Sequence, residues 1–328
     1  MAVCRIGFVG AGGVAARHAR MLAEFDDVEL VSVTDIDAER ATEFAAAHRM
    51  RAVPDVDRLL DTGLDAVYVC VPPLAHGSAE EAVAAAGLGL FVEKPIGLDC
   101  ETAARIARAV ADAGIVTAVG HHWRYSDAVG WARDALRDRP VRLAMGAWLD
   151  KVPPVSWWTQ RGKSGGQVIE QAIHVLDLAR LLAGEVSEVH ALGDGHPPDA
   201  PDADVDGATV ANLRFTGGAV GTLAATCLLG WKHRAGLEVY ADGLALTVTE
   251  DTLEIRDGAD GPEVRHVEPD TAKRAADRAF VDAVLGRADD VRTPYAEALR
   301  THRLACAVAE SAGRGVPVRI EEALDVPC

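Results

Sequence analysis

The first third of the chain alternates continuous apolar runs with amphipathic segments. "VCRIGFVG", "VELVSVTD" and "DAVYVCVPP" are apolar over most of their length, as strands buried on both faces are. Between them, apolar residues recur every three or four positions. That period predicts helices from Gly13 to about Glu24, over "DAERATEFAAAH", over "HGSAEEAVAAAGL" and over "DCETAARIARAVADAG". Shorter strands are expected at Ala52–Val53, in "GLFVEKP" and in "IVTAVG", with Pro72 and Pro73 ending the fourth strand. Strands alternating with helices in this way specify a doubly wound parallel sheet, an α/β Rossmann domain over residues 1–121.

After His121 the pattern changes. "VRLAMGAWLD" reads as a strand and a long apolar helix follows it. From Val186 to Val267 short strands are separated by Gly-containing turns, with Gly217–Gly218 marking a hairpin. Helices are expected at "TAKRAADRAFVDAVLG" and "PYAEALRTHRLACAVAESAG". Residues 122–328 therefore form an α+β domain with a mostly antiparallel sheet. One face of that sheet needs a cover other than its own helices, and a second subunit is a candidate.

Composition narrows the partners. The chain has 328 residues, room for two domains, and 50 acidic against 33 basic residues give a formal charge of −17. Such a chain repels nucleic acid and anionic membranes. No apolar run is long enough to span a bilayer, and "MAVCRIGFVGAGG" lacks the shape of a signal peptide. Six scattered Cys contain no C-x-x-C pair, so neither a metal site nor a disulfide framework is expected, and a cytoplasmic location fits. His196, in the acidic, Pro-rich loop 193–204, reads as solvated.

"FVGAGGVA" places Gly10, Gly12 and Ala15 as G-x-G-x-x-A. Gly10 permits a tight turn, Gly12 lets backbone approach a pyrophosphate, and a small third residue lets helix pack on strand. The N–H groups that open the helix, around Gly13 and Val14, then face the phosphates. The second strand ends at Asp35, placed to bind ribose hydroxyls, followed by Ile36. A carboxylate there repels a 2′-phosphate, which favours NAD over NADP, although Arg40 lies one turn on.

In "GGQVIEQAIHVLD" the residues Gln167, Glu170, His174 and Asp177 recur at spacings of three, four and three. On a wheel of about 100° per residue they fall within roughly 80°, a single polar stripe on a helix otherwise apolar all round. Such a stripe must meet hydrogen-bonding partners or a wet cavity. Gly165–Gly166 allow close backbone approach, and Trp157 and Trp158 could wall off a cofactor or stack on a sugar. Glu170 or Asp177 could orient His174, or Asp177 could pair with Arg180. Lys94 ends a predicted parallel strand, where ligands bind in open α/β sheets, and desolvation there readies a lysine for proton transfer. His121, His122 and Arg124 follow the sixth strand, with one of the two histidines expected to face the cleft. Arg124 is read as orienting substrate or as bracing the junction through an ion pair.

Together, "GFVGAGGVA", "TDID", "VPPLAH", "EKP", "GHHWR" and "SGGQVIEQAIHVLDLAR" resemble the glucose–fructose oxidoreductase/inositol dehydrogenase (Gfo/Idh/MocA) family over nearly the whole chain. The resemblance implies a nicotinamide dinucleotide in the N-terminal domain, contacted also by Val71, Pro72, His76, Glu93, Lys94 and Trp158. It implies a large open sheet used for substrate binding and for a homodimer or homotetramer. Its catalytic lysine corresponds to Lys94 and its catalytic histidine to His174; Glu170 stands where the family often has Asp. The substrate side would be formed by Lys94, His122, Arg124, Trp157, Glu170 and His174. The implied reaction moves a hydride between NAD and a secondary hydroxyl or ketone of a sugar, sugar derivative or cyclitol. Two rivals are an NAD-using lyase or glycosidase with transient redox, and a silent NAD-binding regulatory protein.

Overall fold

The structure, a computed structural model, describes residues 2–259 and 261–320. It divides into two compact units: Met1–Gly97, Glu101–His122 and Lys273–Leu299 form the first, and Leu98–Cys100, Trp123–Ala272 and Arg300–Cys328 the second.

The first unit is built on six strands: β1 (Cys4–Val9), β2 (Val28–Thr34), β3 (Arg51–Ala52), β4 (Ala66–Val69), β5 (Gly89–Val92) and β6 (Thr117–Val119). All pairings are parallel, in the order β3-β2-β1-β4-β5-β6. The helices α1 (Gly13–Leu22), α2 (Ala38–His48), α3 (Val56–Leu60), α4 (Ser78–Ala85) and α5 (Cys100–Ala113) connect them. Every residue of β4 and β5 is buried, which explains their unbroken apolar sequence. The two faces carry separate cores. Phe8, Ala15, Leu22, Tyr68, Phe91 and Phe280 lie in one, and Val67, Val83, Leu90, Ile106 and Tyr295 in the other. The order reverses between β1 and β4, so a crevice opens at the carboxyl ends of these strands, the usual ligand position in such sheets.

The second unit holds a nine-stranded sheet. Its strands are β7 (Leu143–Leu149), β8 (Val186–Gly193), β9 (Ala208–Phe215), β10 (Val220–Thr226), β11 (Arg234–Ala241), β12 (Leu244–Thr249), β13 (Thr252–Asp257), β14 (Glu263–His266) and β15 (Val318–Arg319). Their order is β14-β13-β12-β11-β7-β10-β9-β8-β15, with β7 and β10 parallel and the other pairs antiparallel. The helices are α6 (Asp127–Ala135), α7 (Arg161–Ser164) and α8 (Ile173–Ala183), with α9 (Pro269–Val284) and α10 (Tyr295–Arg314) each running through both units. In β9, Thr209, Ala211, Leu213 and Phe215 are buried while Val210, Asn212 and Arg214 are exposed. That alternation is the mark of a sheet packed on one side. Met145, Leu192, Val210 and Val220 are among the large apolar residues left exposed. The Gly217–Gly218 hairpin joins β9 to β10 as expected, with Gly218 at φ +89°. No helix among the described residues is long and apolar enough to cross a membrane, and no group of three His, Cys, Asp or Glu among them is placed to hold a metal ion.

One difference bears on function. The predicted helix from Gln167 to Leu182 is not regular. Val168–Ala172 form a π-helical turn, and α-helix follows only from Ile173. A wheel drawn at a constant angle therefore misplaces Gln167 and Glu170 relative to His174.

Close packing of α8 on β7 depends on Gly146. A Cβ there would fall 2.6 Å from Val175 Cγ1 and 3.3 Å from Leu223 Cδ1. Gly146→Val is expected to destabilise the protein by about 1–3 kcal/mol through overpacking. A urea melt checks this, and an unchanged midpoint would show that the helix can move away without cost.

Candidate active site

The dinucleotide loop starts at a position that admits no side chain. Gly10 has φ +94°, and a Cβ would lie 2.3 Å from the Cys70 carbonyl oxygen. Val71, half-buried after β4, lies against the same point, and Pro72 follows it. Gly12 and Gly13 differ: a Cβ on either would meet nothing within 4 Å. The protein itself does not need glycine there, but a ligand approaching the backbone would. Gly12 caps α1 without a side-chain hydrogen bond, and the first turn contains no acidic residue. The opening N–H groups of α1 are therefore suited to an anion, while Ala15 is fully buried against the sheet. These features fit a pyrophosphate.

Asp35 is placed by β2 and held from several directions. Its carboxylate accepts from Ala11 N (2.8 Å), Asp37 N (2.9 Å) and the Arg40 guanidinium (2.8 Å). Partial burial works against its charge, but these bonds keep the carboxyl below its ordinary range. Arg40 thus spends its charge on Asp35. Ile36 and Val14 are exposed beside this loop.

His76 and Glu93 were expected to touch the dinucleotide, and both turn into the protein. His76 Nδ1 pairs with Glu80 Oε1 at 2.5 Å, and Glu80 Oε2 accepts from Gly77 N, so His76 anchors the start of α4. Glu93, after β5, is buried; its Oε1 meets His18 Nε2 at 2.9 Å and its Oε2 accepts from Lys94 N at 3.1 Å. Burial opposes the Glu93 charge, but His18, with Arg17 and Lys94, holds its carboxyl down to about 2. Lys94 itself is half-buried at the end of β5. His121 is buried, and His122 opens the short 3-10 turn His122–Tyr125 rather than extending a strand.

In the second unit the residues of the polar stripe reach several elements. Gln167 donates to Thr226 O (2.7 Å) and Gln171 Oε1 (3.2 Å). Glu170 Oε2 accepts from Trp158 Nε1 at 2.6 Å. Trp158 is fully buried with Val205 and Cys227, and half-buried Trp157 packs on that cluster. Trp158 therefore presents no face to a ligand and acts by holding Glu170. Asp177 takes the Arg124 guanidinium in a two-point ion pair (2.7 and 2.8 Å) and accepts from Thr301 at 2.7 Å. Arg180 goes to Glu185 and Thr301. Arg124 is thus tied to this helix by a buried ion pair.

His174 is buried beside two indoles that also pack on each other, with ring centroids 6.1 Å apart. Its ring lies 5.8 Å from Trp123 at 14° and 5.9 Å from Trp148 at 23°. Near-parallel neighbours fix the plane in which its nitrogens can act. Neither tryptophan was singled out from sequence. Trp123 directly follows the noted "HH" pair, but its pairing with a helix fifty residues on has no local signal.

Comparison with known proteins agrees with this geometry. Residues 4–121 match the family model described as "Oxidoreductase family, NAD-binding Rossmann fold", and residues 139–246 match "GFO/IDH/MocA C-terminal domain". The chain is 30% identical over 313 residues to UDP-N-acetylglucosamine 3-dehydrogenase of Acidithiobacillus ferrooxidans, covering 93% of this chain and 95% of that protein. It is 29% identical to myo-inositol 2-dehydrogenase of Thermotoga maritima over 228 residues, 67% of each chain. A solved levoglucosan dehydrogenase, in complex with NADH and levoglucosan, shares the fold with a TM-score of 0.89 at 22% identity, covering 98% of this chain and 100% of that one. The fold and the loop define an NAD-binding Rossmann oxidoreductase. The chain belongs to the Gfo/Idh/MocA oxidoreductase family.

Two outcomes follow from these contacts. Asp177→Asn removes the carboxylate that takes the buried Arg124 guanidinium at two points and is expected to cost about 3–5 kcal/mol; an unaltered urea midpoint would contradict the pairing. Asp35→Ser removes the 2′-phosphate repulsion and releases Arg40, so the ratio of NADP+ to NAD+ dissociation constants is expected to fall roughly tenfold or more. Calorimetric titration with both dinucleotides measures it, and an unchanged ratio would remove Asp35 from cofactor selection.

Proposed function

We propose that the protein is an NAD-dependent dehydrogenase acting on a secondary hydroxyl, or the matching ketone, of a sugar, sugar derivative or cyclitol. The observation that carries this is the placement of Lys94 at the end of β5, in the same sheet whose β1 end carries an open, uncapped glycine loop. When bound, NAD supplies the hydride acceptor or donor. The chain's own residues handle the proton. Lys94 and His174 are assigned the base and the group that stabilises developing charge on the reacting oxygen. Glu170, tied to Trp158, orients substrate or His174, while His122 and Trp157 are assigned to substrate. The names of the relatives, dehydrogenases of a sugar nucleotide and of a cyclitol, support the substrate class. A homodimer or homotetramer formed through the open sheet face, and a cytoplasmic location, belong to the same reading.

The test is NADH formation across a panel of sugars, sugar nucleotides and inositols. With the best substrate, Lys94→Ala and His174→Ala are each expected to lower kcat by about 10²–10⁴, the usual worth of a positioned acid or base. A Lys94→Ala variant with full turnover would overturn the assignment. Substrate consumption without NADH accumulation would favour lyase or glycosidase chemistry with transient redox.

A further inference from the structure

His18 sits on the buried stripe of α1 with Ala15, Ala19 and Leu22, where an apolar residue would be the ordinary choice. Its side chain is buried and both ring nitrogens meet carboxylates. Nδ1 lies 2.7 Å from Asp277 Oδ1 on α9, and Nε2 lies 2.9 Å from Glu93 Oε1. Tyr68 and Phe91 pack on the ring at 5.3 and 5.0 Å. If both carboxyl groups are ionised, the imidazole meets them only by donating from both nitrogens, as the imidazolium does.

The rest of the cluster depends on that charge. Asp277 is fully buried, accepts also from Tyr68 OH at 3.3 Å, and its Oδ2 has no hydrogen-bond partner among the described residues. Arg17 reaches Glu93 at 3.7 Å from a side chain that is partly exposed. Cys70 and Tyr68 stay neutral, their protons held by burial and by the nearby carboxylates. Glu93 also has no room to move away. A Cβ on Gly120 would fall 2.6 Å from its carboxyl carbon, and its Oε2 receives the Lys94 N–H.

We propose that His18 is a positioning residue, an imidazolium clamp that ties the helix opened by the dinucleotide loop to Glu93 and, through Glu93, to the backbone and charge of Lys94. This inference rests on the reading that Lys94 acts in the reaction. It sets the strand end carrying Lys94 in register with the helix that starts at the glycine loop. Burial alone would pull the His18 imidazole down, but Asp277 and Glu93 push it up to about 9. The clamp's contribution to stability is therefore complete below the ordinary histidine value of 6.5 and is lost as pH rises through about 9. The Glu93 contribution is present above 4.5 and is lost as pH falls through about 2.

The experiment has two parts, both on the full chain saturated with NAD+. Hydrogen exchange at the C2 position of individual histidines, read by mass spectrometry, should give His18 a midpoint near 9. A neutral His18 at pH 7.5 overturns the proposal. Acetylation of Lys94 by acetic anhydride at pH 8 reads its charge directly. In His18→Gln the Glu93 carboxylate loses its nearest cation and keeps only the more distant Arg17, so it favours the Lys94 ammonium form and Lys94 labelling should slow by roughly threefold to tenfold. In Glu93→Gln it should speed up. A purely structural role would move neither rate, and equal rates in both variants and the parent overturn the proposal. If His18→Gln does not fold, the parent's histidine exchange and Glu93→Gln still decide. An inactive Lys94→Ala with unchanged labelling in these variants removes the clamp while leaving the proposed function intact; an active Lys94→Ala removes the proposed function itself.

Discussion

At residue 10 the backbone of one strand end lies where a side chain would have to be. The carbonyl of Cys70 occupies that space, and only a glycine in the left-handed region lets β1 and β4 end side by side. Gly10 N then bonds to Thr34 O, Cys70 N to Val9 O, and Ala11 N to Asp35. From this one close approach follow the turn, the direction of α1, the open N–H groups at its start and the placement of Asp35. The clamp at His18 is built on the same helix, so the geometry of Lys94 is also referred back to this turn.

Each unit fixes its candidate residues with buried charge. In the first, His18 stands between Asp277 and Glu93. In the second, Arg124 holds Asp177 one turn beyond His174, and Thr301 joins them. Buried ion pairs add little net stability over a well-packed apolar alternative, since desolvation offsets attraction. His174 packs beside Trp123 and Trp148, while Glu170 is anchored sideways to a buried indole.

Much of this was legible in the chain. The parallel sheet follows from unbroken apolar strands, and the glycine spacing places the dinucleotide loop, because both are local patterns. The antiparallel character of the second sheet followed from alternation and turn glycines. Less legible was anything set by distant pairing. Arg124 and Asp177 lie 53 positions apart, and His18 and Asp277 are 259 apart. The return of Lys273–Leu299 to the first unit has no local mark either. The stripe on "GGQVIEQAIHVLD" was read at a constant helical period, and the π turn at Val168–Ala172 broke that assumption. Gln167 bonds to Thr226, Glu170 to Trp158 and Asp177 to Arg124. One local signal of the distant pairing does exist: a histidine at a core position of α1.

Deuterium transfer addresses the central claim most directly. The protein loaded with NAD+ is given, for a single turnover, sugars and cyclitols carrying deuterium on their carbinol carbons, and the mass of the recovered cofactor is read. The account predicts a reduced cofactor that has gained one deuterium from the substrate. A substrate converted while the cofactor stays oxidised and unlabelled would contradict it.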